Sequence, residues 1–440
     1  MTAEVRPIKT DAETALAEAF AAEKSRLPGG REVAARREAA FRRFETAGLP
    51  SRRVEEWKYT DLRVLMRDAK PLASPPTARA LQPQALGDAL PDITASNVAI
   101  VNGVFAPDWT DVGGHDPGVT VTELFAWLAE HTDFRLDQVV PEPVDLALAL
   151  NSAFMTGGAV VHVKKGARVA RPIHLAHRFV GEAPAAMYPR TLVIVEPGAQ
   201  VTLIETCDGP AGLDYQVNGA LALVVGDGAQ VERIKIGNEG AAALHISTIM
   251  ASIGAKASYR EFTITTGSAV TRNQLFLRCA GEGSNVRIAG ANLIKGRQHV
   301  DSTLVIDHAA RGCESREVFK SVLEDESRAV FQGKIVVRPE AQKTDGKMMT
   351  QALLLSEKAE ADNKPELEIF ADDVQCGHGA TAGRLDKNLL FYLKARGIPA
   401  KEAEALLIQA FVGEAIDGIG HEGVRDLLSG RVAAWLEARG

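Results

Sequence analysis

The sequence holds no disulfide framework. Its four cysteines, Cys207, Cys279, Cys313 and Cys376, are scattered through 440 residues, and none forms a C-x-x-C pair. Such usage points to a reducing compartment, and a chain that encloses a whole metal site usually clusters its ligands more closely. Aromatic residues make up only 5%, too few for a sugar-binding cleft built on aromatic platforms. There is no basic excess: 50 Lys and Arg face 57 Asp and Glu, for a formal charge of −7. Nucleic-acid binders show the opposite balance or a basic stripe, so nucleic acid is not an expected partner. The start, MTAEVRPIKTDAET, carries no apolar segment of a secretory signal. The longest uncharged runs, 146–163 and 240–255, are broken by polar residues such as Asn151, His162 and His245, so neither reads as a membrane span. A cytoplasmic protein without membrane contact is expected.

Several catalytic signatures are missing too. No G-x-x-x-x-G-K-[ST] occurs, so ATP hydrolysis through a P-loop is not expected. There is no H-E-x-x-H and no G-x-S-x-G. The one G-x-G-x-x-G, Gly418 to Gly423, falls between two helical patterns instead of after a strand, and reads as a turn.

What is present is a repeat. Residues 15–24 and 31–47 are Ala-, Glu- and Arg-rich and read as helices, with Asp11 as a possible cap and Pro28-Gly29-Gly30 as the break. Proline-rich 71–96 reads as a linker, 97–105 as the first strand, and 121–129 and 143–153 as helical. From about Met155 a unit recurs: strand, Gly-Ala turn, strand. The turn glycines Gly166, Gly198, Gly228 and Gly254 are 32, 30 and 26 residues apart, and a degenerate copy sits at Gly283-Ser284-Asn285-Val286. Glycine suits a corner that needs positive φ. A propeller blade needs about 40–45 residues, and a sandwich turns every 8–12 or so without repeating its turn sequence. A solenoid, whose units stack only on their neighbours, fits best. Strand patterning continues through 302–306, 318–322, 329–337 and 366–374 and ends near Thr381. Helical patterning then returns, with Asp386 as a cap, Gly397 as a left-handed terminator and Pro399 opening a second helix. In that helix Ala403, Leu406, Leu407, Ala410 and Phe411 form an apolar stripe, and a last helix covers 424–437. The expected organisation is helical with a linker over 1–150, a β-solenoid core over 151–381, and helical over 382–440.

The densest group of potential ligands is Asp372-Asp373-Val374-Gln375-Cys376-Gly377-His378-Gly379. In a strand, positions two apart share a face, so Cys376 and His378 would present a thiol and an imidazole together, a pair suited to iron. Two ligands fall short of the usual four. The pair is therefore either inert or half of a site completed by another chain. A Cys–His nucleophile is the other reading, though no oxyanion element accompanies it. Cys207, Cys279 and Cys313 read as core or wall residues, and His162, His174 and His177 as surface or satisfied core residues.

Longer strings carry a resemblance. Phe331-Gln332-Gly333-Lys334-Ile335, Ala341 to Gly346, Leu353 to Ser356, and above all Lys364 to Thr381, resemble the SufB/SufD family of iron–sulfur cluster assembly proteins. So do Leu390-Phe391-Tyr392-Leu393, Ala395 to Ile398, and, near the other end, Pro50-Ser51-Arg52 with Glu56 to Leu62. Within the family the helical W-K-Y-T segment and the C-x-H-G-A-T form resemble the SufD branch. The resemblance implies a right-handed parallel β-helix flanked by N-terminal and C-terminal helical domains, mainly β overall. It implies a non-catalytic scaffold that pairs with a SufB-like subunit through the solenoid ends, or with itself when alone. A SufC-type ABC ATPase would dock on the C-terminal helices, about residues 385–414, and its ATP-driven closure would open the SufB–SufD interface. The iron–sulfur cluster would be transient cargo at that interface, handled by His378, with Cys376 as a further ligand or a spacer. Sulfur would arrive as persulfide through the SufB-like chain. Nothing in the sequence assigns a flavin to the complex. Two other classes stand beside this one: a β-solenoid enzyme acting on a carbohydrate or acyl substrate, which an activity screen would reveal, and a self-sufficient metalloprotein, which metal analysis of the isolated chain would reveal.

Overall fold

The computed structural model describes residues 9–76, 89–111, 116–131, 141 and 144–439. Its centre is a parallel β-solenoid of about eight turns. Each turn gives one strand to each of two facing sheets. The first sheet stacks β5 (Ile173–Arg178), β8 (Gln200–Asp208), β10 (Gln230–Gly237), β12 (Ser258–Thr265), β14 (Asn285–Ile294), β16 (Glu314–Leu323), β18 (Asp345–Leu354) and β20 (Gln375–Gly383). The second stacks β4 (Ala159–Val163), β7 (Arg190–Val195), β9 (Gln216–Val225), β11 (Leu244–Ile253), β13 (Val270–Cys279), β15 (His299–His308), β17 (Arg328–Val337) and β19 (Glu360–Ile369). Short β6 (Ala186–Met187) joins β9. At the N-terminal end, β1 (Ser96–Val101) runs parallel to β5, whereas β2 (Val104–Phe105) and β3 (Val119–Glu123) pair antiparallel with β1 and β4.

Register follows from alternation. Inward positions such as Leu221, Leu223 and Val225, Leu275 and Leu277, and Leu304 and Ile306 build one continuous interior. Outward positions are also covered over much of the rod, so β11 (LHISTIMASI) reads as an almost unbroken buried run, as strands buried on both faces do.

The corners explain the repeat and correct it at one place. Gly166, Gly198, Gly228 and Gly283 take φ between +66° and +70°. In the fourth copy the left-handed residue is Lys256 (φ +55°), not Gly254. Gly254 lies two residues earlier, where the backbone of the previous turn passes close: a Cβ there would sit 2.8 Å from Asp227 N. The glycine serves close approach, and lysine carries the turn.

The helices occupy opposite outer faces of the rod. On the second sheet lie α1 (Asp11–Glu23), α2 (Arg31–Ala47), α3 (Leu62–Leu65), α4 (Leu124–Glu130) and α5 (Leu146–Phe154). Phe20, Phe41, Phe44 and Trp57 pack there with Tyr188, Leu244 and Ile246. The cap of α1 is Thr10 rather than Asp11: Thr10 Oγ1 accepts from Glu13 N, and Glu13 Oε2 accepts from Thr10 N. The segment expected to be helical at 121–129 opens as β3 before turning into α4. The stretch from Glu55 to Asp61 is pinned to the sheet. Trp57 is buried under the Arg272 guanidinium at 3.9 Å and donates to Asp145 Oδ2 at 2.8 Å. Arg272 is held by Asp301, by Gln274 Oε1 and by the Glu56 carbonyl, and Thr60 also donates to Asp301.

On the first sheet lie α7 (Ala400–Ile416) and α8 (Glu422–Glu437), reached through α6 (Lys387–Ala395). Asp386 caps α6, and Gly397 ends it at φ +87°. Pro399 is the N-cap of α7, one place earlier than the sequence suggests. The stripe that α7 buries is also not the expected one. Ile408, Val412, Ala415 and Ile416 face inward against Ile234, Ile264 and Val322, and Ala403 is also buried, while Leu406 and Ala410 are exposed. The helix is apolar on more than one side, and the sheet selects the face.

Candidate functional site

Cys376 and His378 sit on β20, the last strand of its sheet, whose one neighbour among the described residues is β18. Register places Cys376 over Gly346 and His378 over Met348. Met348 and the positions below it face the interior, so both side chains belong to the inner wall at the rod's open end. Cys376 is half-buried against the core, and His378 is exposed because no further turn covers it. Neither β19 nor β20 has a fully buried residue. Met349, Ile369 and Phe370 are exposed nearby, Phe370 at 60%. At the corner, Lys343 pairs with Asp373. Burial pushes the Cys376 thiol up, and the carboxylates of Asp345 and Glu317 add to the shift, so the thiol is neutral at neutral pH. Among the described residues no third acid, thiol or imidazole joins the pair to make a ligand group.

The interior holds a second group of donors. The Cys279, His308 and Cys313 ligand atoms lie within 4.8 Å of one another, and all three residues are buried. Cys279 and His308 are paired in register on β13 and β15, and Cys313 follows the Arg311-Gly312 corner just before β16. The Cys313 thiol is drawn down to about 4, first by its hydrogen bond with Cys279 and then by His308, against the cost of burial. Cys279 moves the opposite way, pushed up by Cys313 and by burial. The expectation that Cys279 and Cys313 are core residues holds, and their convergence with His308 is what the sequence reading missed. The signal was there: Cys279 and His308 are one turn, 29 residues, apart.

The three histidines that the sequence singles out on the solenoid strands, and Cys207, have plainer environments. His174 is buried between Asn97 and Thr206 and lowered to about 4 by burial. His162 meets Glu196 at 2.8 Å, and His177 is half-buried. Cys207 is buried beside Glu205. Deeper still, Arg233 bridges Glu205 and Glu261. Glu317 is wholly buried, with neither carboxylate oxygen hydrogen-bonded, and burial raises it to about 8.

On α6, no residue is buried; Leu389, Phe391 and Tyr392 all face solvent. With Leu406 on α7 they leave exposed apolar side chains on both helices.

Comparison with known proteins ties these features together. Residues 177–411 match the model of the SufBD core domain of the SUF system for FeS cluster assembly, and residues 10–175 match that of the SufBD N-terminal region. The chain belongs to the SufB/SufD family. An iron–sulfur cluster assembly SufBD family protein of Synechocystis is 31% identical over 387 residues, covering 84% of each chain. The iron–sulfur cluster assembly protein SufD of Escherichia coli is 30% identical over 395 residues, covering 88% of this chain and 90% of that one. SufD of Bacillus subtilis is 28% identical over 323 residues, covering 71% and 73%. The SufB/SufD match runs through the pinned Trp57 segment, the rod and α6, and ends within α7. The chain is thus an iron–sulfur cluster assembly protein of the SUF system. No helix among its described residues is long and apolar enough to cross a membrane.

Proposed function

We propose that this chain is the SufD-type scaffold of a cytoplasmic SUF complex. It carries out no catalysis of its own. The open end of its rod pairs with the corresponding end of a SufB-like subunit, and Cys376 and His378 contribute to a nascent-cluster site shared across that seam. The iron–sulfur cluster is cargo that passes through the seam. The observation that carries this reading is the exposed His378 beside half-buried Cys376 on a terminal strand that is paired on one side alone among the described residues. An imidazole and a thiol offer borderline and soft donors that iron accepts, and the missing ligands must come from outside the described residues of this chain. The free edge and the exposed Phe370, Ile369 and Met349 favour burial against a partner.

A SufC-type ATPase docks on α6 and α7. Leu389, Phe391 and Tyr392 project from a helix with no buried residue, as a helix meant for another protein's groove would. The three units 1–150, 151–381 and 382–440 then divide the work into anchoring, cluster handling and motor docking.

Co-expression with a SufB-like chain and a SufC-type ATPase tests the proposal. The assembly should co-purify, and native mass measurement should find all three chains. His378→Ala should leave that assembly intact and lower its yield of assembled cluster. Full cluster yield from the variant complex would remove the site assignment, and failure of the chains to associate would remove the scaffold reading.

A further inference from the structure

We propose that Cys279, His308 and Cys313 form a second, buried binding site for one thiophilic divalent cation of the zinc or iron(II) type, inside the rod and independent of the seam. The inference does not rest on the scaffold reading above.

The column of inward positions that holds the first two residues reads Ile253, Cys279, His308, Val337. An imidazole between apolar neighbours in a solenoid core needs a reason, because a buried ring nitrogen without a partner is costly. His308 Nε2 lies 3.1 Å from Ser315 Oγ, while its Nδ1 is buried with no hydrogen-bond partner. That is the arrangement of a metal ligand: one nitrogen is oriented by an outer hydroxyl, and the other is left with a lone pair. Ser284 Oγ, buried and also unpartnered, lies on the turn next to Cys313, whose following residue donates its N–H to the Ser284 carbonyl.

Geometry and charge agree. A tetrahedral ion with bonds of about 2.3 Å to sulfur and about 2.0 Å to nitrogen holds its ligand atoms roughly 3.5–4 Å apart. Donors already within 4.8 Å need only small side-chain rotations to reach it. Two thiolates and a neutral imidazole around a divalent ion make an electrically neutral unit, which a low-dielectric interior tolerates far better than a bare thiolate. Ser284 Oγ, unpartnered on the neighbouring turn, is the fourth ligand the proposal assigns. Since all three ligands are buried, the ion enters before the turns that follow have stacked, and then stays.

Elemental analysis of the full-length chain, purified without added metal, is the test. About one zinc or iron per chain is expected, resistant to a chelator until denaturant is added. The His378→Ala variant should keep the ion, and the double variant Cys279→Ser/Cys313→Ser should lose it. If the double variant does not fold, refolding the wild-type chain with Co2+ alone decides the matter, because thiolate coordination gives an intense thiolate-to-cobalt charge-transfer absorption. Absence of that band from refolded wild-type protein would overturn the proposal. So would a Cys279–Cys313 disulfide in freshly isolated protein, or an ion that is lost in His378→Ala but retained in the double serine variant.

Discussion

Replacing Glu317 by Gln should make the protein markedly less sensitive to alkaline destabilisation. Glu317 faces inward on β16, in the column Ile288, Glu317, Met348, His378, and neither of its oxygens has a partner. Burial disfavours its charged form and raises it to about 8, against weaker opposing effects from Ser315 and Arg316. In the unfolded chain it titrates at its ordinary value of 4.5. Between these values the unfolded chain ionises while the folded chain keeps its proton, so stability falls as pH rises through that window. Below it both states are protonated and the penalty vanishes; above it both are ionised and the penalty is constant. At 1.36 kcal/mol per pH unit, the loss from Glu317 between about pH 5 and about pH 8 comes to roughly 3–4 kcal/mol. Gln has no such titration, so the wild type minus variant difference isolates this group from every other. Urea unfolding followed by circular dichroism at the two pH values measures it. Hydrogen exchange of β16 and β18 amides adds a local readout, since a solenoid can open from one end. A difference that stays constant within about 1 kcal/mol across that range would show that Glu317 reaches a partner or water, and would refute the reasoning.

Other perturbations test other parts of the molecule. Arg272→Ala strands Asp301 in a buried position and should cost about 3–5 kcal/mol, with a red shift of Trp57 fluorescence as the N-terminal segment lifts; unchanged thermal melting would mean that the segment is anchored elsewhere. Gly281→Ala puts a Cβ 2.0 Å from Ala255 N and should cost roughly 3 kcal/mol or more, whereas Gly312→Ala meets no atom and should cost only about 1–2 kcal/mol for its positive φ. Equal losses in urea unfolding would contradict the stacked-corner account. Phe391→Asp should leave melting of the isolated chain unchanged, because that side chain is 73% exposed, yet abolish co-purification with a SufC-type ATPase; retained co-purification would place the docking surface elsewhere.

Much of the rod could be read from the sequence because its corner is a chemical event that recurs. A tight turn at each level asks for glycine, and the near-constant spacing gives the stacking away. The reading failed where a different residue met the same demand, as Lys256 does with φ +55°. It also passed over β18 and misplaced β19, the last turns. β19 is an edge strand with no neighbour on one side among the described residues, so apolar residues are less required there, and it carries Lys364, Pro365 and Glu366. Proline is tolerated on such an edge strand because one side makes no ladder. The buried face of α7 was ambiguous because Leu406, Leu407, Ile408, Phe411 and Val412 surround much of the helix, and only the docked sheet breaks the tie. The Cys376 and His378 pair was legible since two-residue spacing on a strand is local. The trio of Cys279, His308 and Cys313 was not, because contact between residues about 30 apart depends on register, which a chain reveals only once its turns are stacked.

The two ends of the rod differ in kind. One is finished by short strands running against the grain, β2 with two residues and β3 with five, so the parallel ladder has nowhere to continue. The other stops in mid-pattern. If the rod pairs as proposed, a body terminated on one side and raw on the other would be extended once: joining two raw ends would close the object, leaving a bar of fixed length with blunt tips instead of a fibre.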